Sequence, residues 1–530
     1  MPRRPVGCHA APSGQALTIP LPRVPTWVRR CAIPLPTALR QRNSRRMPSA
    51  ALPLLPVRQA LWVVALILFH LAGTWILPLI DRDEPRFAEA SREMIERGDY
   101  VIPWFNNGYR FDKPPLIYWM QIACYRAFGE SEFAARFPAA VCAALTALIL
   151  YHFARRMADA RVAFWSAALF STCLQTAIHA KAAVADMPMV LFFTAALWAG
   201  WEILRSPRAL LPWVAWSLAL GLGFLAKGPV AWLPLVPLLF GALTRAELRP
   251  HRLRIALGSL AALVAAAALV LLWAWPALVR TDGEFFRIGI GKHVVHRSLD
   301  AFEGHGADGT LGYFLMLPFF FLTVFLSFFP ASCFLPWLVR TLRLPGTRDP
   351  DTAYLLVAIA TVFGVFTLVS TKLPHYTLPA FPALALVLVT LWFRSGRAEL
   401  SLRKASIAGV ALWIAVSIPG AMAVTRFFPS PQLLEAARPH LSPEMEFGSV
   451  SYEEPSLVWY FRKEVRGFHS KLKASQVAKY LREPGPRFVI LPTADLEKAG
   501  DVSGLVTARV RGLNIVNGKR MDLTLLIKKG

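Results

Sequence analysis

The chain has 530 residues, of which 55% are hydrophobic and 17% are charged. This composition, with a mean hydropathy of +0.43, excludes a soluble globular protein of this length and predicts a polytopic membrane protein. The net charge of +25 does not indicate a nucleic-acid-binding protein, because the basic residues lie in short connections between apolar runs.

The first 58 residues form a separate segment that is rich in Arg, Pro and Ala. This segment has no acidic residue and no apolar stretch long enough for a signal-peptide core, which predicts a disordered extension on the cytoplasmic side. A more ordinary membrane-protein start begins at Met47, so the preceding part could be an artefact of start-site choice. An Arg-rich transit peptide is the alternative.

Apolar runs of spanning length follow, on a requirement of roughly 20 residues per crossing. They cover 59–80, 133–154, 161–178, 185–204, 209–225, 228–243, 255–278, 312–339, 352–370, 375–393 and 405–425. Prolines within 312–339 could split that run, and part of 81–132 could dip into the bilayer. We therefore expect eleven to thirteen membrane helices.

Cations concentrate in alternate connections between these runs. They are Arg155, Arg156, Arg161, Arg205, Arg208, Arg245, Arg249, Arg252, Arg254, Arg340, Arg343, Arg348, Arg394, Arg397, Arg403 and Lys404. The positive-inside rule assigns these connections to the cytoplasm. The other connections then share the opposite, outer face.

The outer connections carry most of the chemistry-bearing residues of the membrane part. These residues are Asp83, Asp112, Lys113, Asp186, Lys227, His293, Lys372 and His375. Charged groups at the edge of a bilayer are costly to desolvate and usually serve a site. Their convergence on one face therefore predicts a single site there.

The first outer loop, 81–132, contains two predicted helices. Phe87, Ala90, Met94 and Ile95 fall at helical spacing opposite a charged face, which indicates a helix lying along the membrane interface. A second helix is predicted for the segment LIYWMQIACYRAF, after two prolines.

After the last apolar run, residues 426–530 have the character of a small soluble α/β domain. Strand-like runs are RFVILPT, LVTARV and DLTLLIKK, and SQVAKYLRE indicates a helix. An odd number of crossings would place this domain on the outer face. We expect an accessory or acceptor-facing role.

Several motifs resemble those of the GT-C glycosyltransferases that use lipid-linked sugars. The matching segments are RDEPRFAEASREMI, YRFDKPPLIYW, AVADMPMVLF, GFLAKGPVAWLPL and STKLPHYTLPAFPALAL. The resemblance is to the bacterial branch that contains the lipid A aminoarabinose transferases and relatives of the protein O-mannosyltransferases. It implies an all-α polytopic membrane bundle of the GT-C type, with residues 59–425 as the catalytic domain and outer loops at 81–132 and 279–311.

The resemblance also implies roles for individual residues. Asp83 matches the family's first-loop carboxylate, which would act as a general base or orient the donor sugar, and Asp186 matches a second acid that would bind sugar groups. Cations suited to the donor phosphate are Lys113, Arg297 and Lys372, and supporting residues are Glu84, Arg86, Lys227 and His375. Alternatives stay open: Asp186 as a helix N-cap, and Lys227 and Lys372 as side chains that snorkel to the interface.

Some relatives hold a divalent metal ion, and the corresponding residues here are Asp112 and His293. Many relatives have Glu at the position of Asp112, so the shorter side chain reduces the reach toward an ion. His296 and His305 are alternatives to His293.

The sequence thus predicts an integral-membrane glycosyltransferase that moves a sugar from a polyprenyl phosphate carrier to a lipid or protein acceptor, with inversion by single displacement. Aminoarabinose transfer to lipid A, at the periplasmic face of a bacterial inner membrane, is the leading case. A protein O-mannosyltransferase-like enzyme is the alternative in the same class. A lipid or sugar transporter is the alternative from another class, although transporters place their sites near the midplane between repeats.

Overall fold

The computed structural model of the protein describes residues 57–289, 291, 309–502 and 504–528. All but the last two residues of the predicted N-terminal extension, Met47 included, lie outside these residues.

The described membrane part is built of helices joined by short connections. They are α1 (Val57–Leu71), α2 (Asp83–Arg97), α3 (Leu116–Phe128), α4 (Glu132–Met157), α5 (Ala160–Thr172), α6 (Leu174–His179), α7 (Asp186–Arg205), α8 (Leu210–Lys227), α9 (Leu235–Thr244), α10 (Arg252–Arg280), α11 (Gly309–Leu315), α12 (Phe319–Ser327), α13 (Leu335–Thr341), α14 (Pro350–Leu368), α15 (Phe381–Arg394), α16 (Leu400–Ala415) and α17 (Ala421–Thr425). Each predicted apolar run therefore contains helix.

Seven helices of the described part are long and apolar enough to cross a membrane, and the chain is a multi-span membrane protein. They are Glu132–Met157, Asp186–Arg205, Leu210–Lys227, Ala246–Arg280, Pro350–Leu368, Pro374–Arg394 and Leu400–Thr425. The prolines in the run 312–339 do break it, because Phe319–Ser327 and Ala331–Thr341 meet at a bend of 118° and count as an eighth span only if taken together. The count of eleven to thirteen crossings stays a prediction.

The helix ends form two sets, and we call the one with the arginine-rich connections the basic end. Ion pairs join these connections directly: Arg156 to Glu202 at 2.8 Å, Arg161 to Glu399 at 2.6 Å and Arg245 to Asp351 at 2.9 Å. The alternation of cations in the sequence thus corresponds to a shared end of the bundle.

The opposite end carries the first outer loop, and both of its predicted helices are present as α2 and α3. Gly98 ends α2 in the left-handed conformation, and a two-residue hairpin of β1 (Trp104–Phe105) and β2 (Gly108–Tyr109) follows. The charged face of α2 is buried, unlike the solvent-facing polar side of an ordinary interfacial helix. Glu89, Arg92 and Glu93 are buried. Glu89 and Arg92 contact Arg462 and Trp459 of the C-terminal domain, whereas Glu93 accepts the backbone N–H groups of Asn106 and Asn107 in the hairpin.

The C-terminal domain is the predicted α/β unit. Its elements are α18 (Pro429–Ala437), β3 (Glu446–Val450), α19 (Pro455–Phe461), β4 (His469–Leu472), α20 (Val477–Arg482), β5 (Arg487–Pro492), β6 (Val506–Leu513) and β7 (Arg520–Lys528). The strands form one sheet in the order β4-β3-β5-β7-β6, with β3 parallel to β4 and β5 and the other pairs antiparallel. The three predicted strands and the predicted helix are β5, β6, β7 and α20; β3 and β4 are additional.

The domain packs through α19 against α2. The backbone N–H and the hydroxyl of Ser456 donate to the two oxygens of Asp81, at 2.8 and 2.6 Å, and Asn106 exchanges two hydrogen bonds with the backbone of His469. The domain therefore sits on the same end of the bundle as the first outer loop.

Candidate active site

One cavity of about 100 Å³ opens at this end of the bundle, which we call the cavity end. Seven of the residues predicted for the site or its support line it, from five separate segments of the chain. They are Asp83, Arg86, Asp112, Lys113, Asp186, Lys227 and His375. Their convergence in space matches the prediction from topology.

Asp83 and Arg86 lie in the first turn of α2, and a buried ion pair fixes the start of that helix. Arg136 of α4 is 2% exposed and donates to both oxygens of Glu84, at 2.8 and 2.7 Å. The same guanidinium donates to the carbonyls of Thr74, Leu77 and Pro78, which precede α2. Glu84 therefore supports the site from behind rather than lining it.

Glu84 also holds the loop that leads into α7, because it accepts the backbone N–H of Ala183 at 2.7 Å. Lys181 anchors the start of this loop, since its ammonium donates to the carbonyls of Phe69, His70 and Ala72 at 2.8 to 3.0 Å. Burial lowers the pKa of Lys181 to about 8. The loop that delivers Asp186 is thus tied both to α1 and to the start of α2.

Asp186 is the first residue of α7, and it does not cap the helix through its side chain, because the N-cap position is Ala185. Its carboxylate accepts a hydrogen bond of 2.5 Å from the ammonium of Lys227, the last residue of α8. Gly228, at φ 79°, ends α8 directly after the lysine. The two helix ends meet in an ion pair, so Lys227 does not snorkel.

Two histidines flank this pair. The Nε2 atom of His375 lies 3.9 Å from Asp186, and the rings of His375 and His179 are 5.0 Å apart between centroids. His179, at the end of α6, is 9% exposed. Tyr376 closes the group, with the Lys227 ammonium 5.7 Å from its ring centre.

The other acid of the first loop is also paired. Arg110 is buried and lies 2.8 Å from the carboxylate of Asp112, and its Nε donates to the hydroxyl of Tyr118 at 3.2 Å. The neighbouring Lys113 donates to the backbone carbonyl of Asp112 at 3.0 Å. Both loop residues thus reach the cavity from the segment between β2 and α3.

Asp83 and Arg86 differ from these pairs. Among the described residues, the Asp83 carboxylate and the Arg86 guanidinium make no hydrogen bond and no ion pair. A carboxylate and a cation that face a cavity without such partners are available to a substrate. Arg86, predicted as a supporting residue, thus has the position of a binding residue.

The remaining predicted residues lie elsewhere. Lys372 does not line the cavity: its ammonium donates to the carbonyls of Phe366, Thr367 and Val369, at 3.2, 2.6 and 2.5 Å, and so completes the end of α14. Arg297 and His293, with the alternatives His296 and His305, lie outside the described residues. Their proposed roles stay predictions.

The metal site predicted at Asp112 and His293 is therefore described only on its Asp112 side. That carboxylate is already neutralised by Arg110, which argues against the fit of a cation at Asp112.

Three polar lining residues were not singled out from the sequence as parts of the site: His179, Arg110 and Tyr376. Arg110 lies two residues before Asp112 in the motif YRFDK, and Tyr376 directly follows His375 in the motif KLPHY. Their positions beside predicted site residues were therefore a signal. His179 directly follows the apolar run 161–178 and lies seven residues before Asp186, and that proximity was the available signal.

Known proteins resemble the chain over much of this region. A family model described as dolichyl-phosphate-mannose-protein mannosyltransferase matches residues 112–275. An undecaprenyl phosphate-alpha-4-amino-4-deoxy-L-arabinose arabinosyl transferase from Sodalis glossinidius is 31% identical over 59% of this chain and 56% of its own length. A protein of the same description from Pseudomonas aeruginosa is 31% identical over 62% of this chain and 58% of its own. The chain thus spans somewhat more than half the length of these curated relatives.

The solved structures extend the likeness to the whole fold. The crystal structure of ArnT from Cupriavidus metallidurans bound to undecaprenyl phosphate has a TM-score of 0.71 at 20% identity, and the match covers 88% of this chain and 97% of that one. The apo structure of the same protein gives a TM-score of 0.68. The predicted GT-C fold is confirmed.

Proposed function

We propose that this chain is an integral-membrane glycosyltransferase that moves a sugar from an undecaprenyl phosphate carrier to an acceptor, with 4-amino-4-deoxy-L-arabinose as the first candidate sugar and lipid A as the first candidate acceptor. The observation that carries the proposal is the pairing pattern of the cavity, where Asp83 and Arg86 form no ion pair with any residue that the structure describes. The sugar is suggested by the relatives from Sodalis glossinidius and Pseudomonas aeruginosa, whose names specify that donor.

The charges of the cavity suit a reaction in which a lipid phosphate leaves a sugar. The leaving phosphate gains negative charge as the glycosidic bond breaks, so a cation beside it stabilises the transition state more than the ground state. Arg86 suits this role because it presents several donors in a planar fork. Lys113, on the wall of the same cavity, is a second cation for the phosphate.

Asp83 is the group placed to act on the acceptor. A hydroxyl acceptor needs a base to take its proton as it attacks the sugar. Within the described part of the chain, no cation forms an ion pair with Asp83 that would compete for that role. An acceptor that is an ionised phosphate needs no base, and Asp83 would then orient the donor sugar. In both cases one displacement inverts the configuration at the sugar carbon.

The pairing of Asp186 with Lys227 changes the role proposed for that acid. Its charge is neutralised at 2.5 Å, so it is a poor partner for the ammonium group of an amino sugar. Asp83 is the better candidate for that contact within the described cavity. Asp186 holds Lys227 and the two helix ends in place.

The proposed orientation of the chain in the membrane follows from the arginine-rich connections at the basic end. The arginine-rich connections face the cytoplasm under the positive-inside rule, so the cavity and the C-terminal domain face the periplasm of a bacterial inner membrane.

A protein acceptor with mannose as the sugar is the second candidate, and the matched mannosyltransferase model over residues 112–275 supports it. That model overlaps Asp112, Lys113, Asp186 and Lys227 but ends before the C-terminal domain. A mannosyl donor and a protein acceptor are therefore included in the test.

The test uses the full chain reconstituted in lipid vesicles with a panel of polyprenyl phosphate sugars and either lipid A or a membrane protein extract. We expect transfer by the wild type, and a loss of about 10²-fold or more in Asp83→Asn and in Arg86→Gln. Asp282→Asn and Arg287→Gln are matched controls, because both exchange the same chemical groups at exposed positions near the cavity end. Failure of the wild type with every donor, or full activity in both cavity variants, would refute the proposal and favour the transport alternative.

A further inference from the structure

The two histidines beside Asp186 have an arrangement that the proposed transfer reaction does not use. One ring nitrogen of His179, one of His375 and a carboxylate oxygen of Asp186 all lie within 4.8 Å of one another. Two imidazoles and one carboxylate are a donor set that suits Zn²⁺ and similar divalent transition ions.

The hydrogen bonding of His179 points in the same direction. Its Nδ1 lies 3.1 Å from the backbone carbonyl of Gln175 and 3.3 Å from the side-chain amide nitrogen of the same residue. The shorter contact is to an oxygen that only accepts, which favours the tautomer with the proton on Nδ1. The Nε2 atom is then unprotonated and carries a lone pair, and it makes no hydrogen bond to the described residues. Histidines that ligate a metal usually donate their other nitrogen to a carbonyl or carboxylate in this way.

His375 adds a second imidazole without a partner. Its closest polar contact is the 3.9 Å approach of Nε2 to Asp186, which is too long for a hydrogen bond, and neither ring nitrogen forms one within the described part of the chain. Its side chain is 20% exposed and lines the cavity, so an ion in the cavity has access to this imidazole. Two imidazoles close to one carboxylate and to each other thus have lone pairs without donors among the described residues.

In this structure the ammonium of Lys227 takes the position beside Asp186 that a metal ion would need, because it binds the carboxylate at 2.5 Å. Ammonium and metal ion would compete for the same carboxylate oxygen, and the lysine lies at the end of a helix where its flexible side chain can turn toward the cavity.

We propose that His179, Asp186 and His375 form a site for Zn²⁺ or a similar divalent ion, which displaces Lys227 from Asp186. The site is distinct from the pair of Asp112 and His293, and its binding of metal does not depend on the proposed transferase activity. An ion there would add positive charge to the wall of the cavity that also contains Arg86.

The test is a titration of the full-length chain, purified in detergent and stripped of metal, with Co²⁺ as a spectroscopic substitute for Zn²⁺. Visible absorption reports nitrogen and oxygen ligands in low coordination, and elemental analysis after Zn²⁺ loading gives the ions bound per chain. We expect one ion per chain in the wild type, and binding weakened by about 100-fold in His179→Gln and in His375→Gln.

Three further variants separate this site from others. Lys227→Gln removes the competing ammonium, and we expect binding about tenfold or more tighter, a gain that misfolding would not produce. Asp112→Asn and His440→Gln, the latter in the C-terminal domain, should bind as the wild type does. The proposal is overturned if the wild type takes up no ion, if His179→Gln and His375→Gln bind normally, or if Lys227→Gln binds more weakly.

Discussion

Glu84 and Arg136 form a buried bidentate ion pair behind the cavity, with side chains that are 5% and 2% exposed. The pair joins three parts of the chain, because Arg136 also binds the carbonyls before α2 and Glu84 also binds the backbone at Ala183. Asp83 follows one of these segments and Asp186 follows another. The distance between Asp83 and Asp186 is therefore set by the Glu84–Arg136 ion pair, although neither residue of that pair lines the cavity.

Arg136→Met tests this dependence. It leaves the Glu84 carboxylate buried without its counter-charge, and breaking such a pair costs about 3–5 kcal/mol. We expect a fall of that size in the free energy of unfolding, measured by denaturant titration of the solubilised chain. The matched control is Arg156→Met at the basic end, where the arginine is 51% exposed and its pair with Glu202 contributes about 0–1 kcal/mol. Equal losses in the two variants would contradict this reasoning.

Much of this site could be predicted because hydropathy fixes where helices end. Asp186 and Lys227 are 41 residues apart, yet each borders an apolar run on the same side of the membrane. Topology alone brings them to one end of the bundle. Their direct pairing is a different matter, since no spacing rule relates residues on separate helices.

Lys372 shows what a search for charged groups overlooks. Its position just after an apolar run suggests a phosphate contact, but the carbonyls at the end of α14 lie within three to six residues and take its ammonium instead. The burial of the charged face of α2 has a related reason. Nothing in the pattern of Glu89, Arg92 and Glu93 indicates which parts of the chain cover them. Arg92 donates to the carbonyl of Trp459, 367 residues further along the chain, and Glu93 accepts backbone N–H groups of the hairpin.

Lys372→Met distinguishes the two roles of that lysine. Its ammonium is buried and burial lowers its pKa, which agrees with a structural contact rather than a solvated one. We expect a loss of stability of about 1.5–3 kcal/mol, since charge-assisted hydrogen bonds to carbonyls are removed. The KM for the lipid-linked donor should be unchanged, whereas Arg86→Gln should raise it. A raised donor KM in Lys372→Met would restore the predicted phosphate contact.

Asp81 predicts a pH dependence at the contact between the C-terminal domain and α2. Burial raises the pKa of this carboxyl to about 7, although the hydrogen bonds from Ser456 oppose the shift. The folded chain thus holds this proton more tightly than the unfolded chain, in which the pKa is about 4. The stabilisation is complete below about pH 4 and is lost as the pH rises toward 7, with a slope of at most about 1.4 kcal/mol per pH unit.

Asp81→Asn should remove this part of the pH dependence, and thermal unfolding at a series of pH values between 5 and 8 measures it. Glu89 acts in the same sense, because burial raises the pKa of its carboxyl to about 8. Some slope therefore persists in Asp81→Asn and should become shallower still in the double variant with Glu89→Gln. Asp282→Asn, at an exposed position, is the control. A steeper fall with rising pH in Asp81→Asn would show that the sign is wrong.

Asn106 holds the hairpin of the first loop to the edge strand β4 of the C-terminal domain. Its side chain donates to the carbonyl of His469 at 2.9 Å and accepts the N–H of the same residue at 2.8 Å. Its backbone is left-handed, with φ 51°, a conformation that Asn and Gly tolerate better than other residues. Asn106→Gly removes only the two hydrogen bonds, whereas Asn106→Ala removes them and adds backbone strain.

We therefore expect graded effects from the two substitutions. Asn106→Gly should weaken docking by about 1–3 kcal/mol, from two lost hydrogen bonds. Asn106→Ala should cost a further 1–2 kcal/mol or so. Hydrogen exchange at the amide of His469, together with the rate of proteolysis at the hairpin, measures the release. Faster exchange in Asn106→Ala alone would assign the effect to strain, and no change in either variant would show that α19 and α2 hold the domain without this contact.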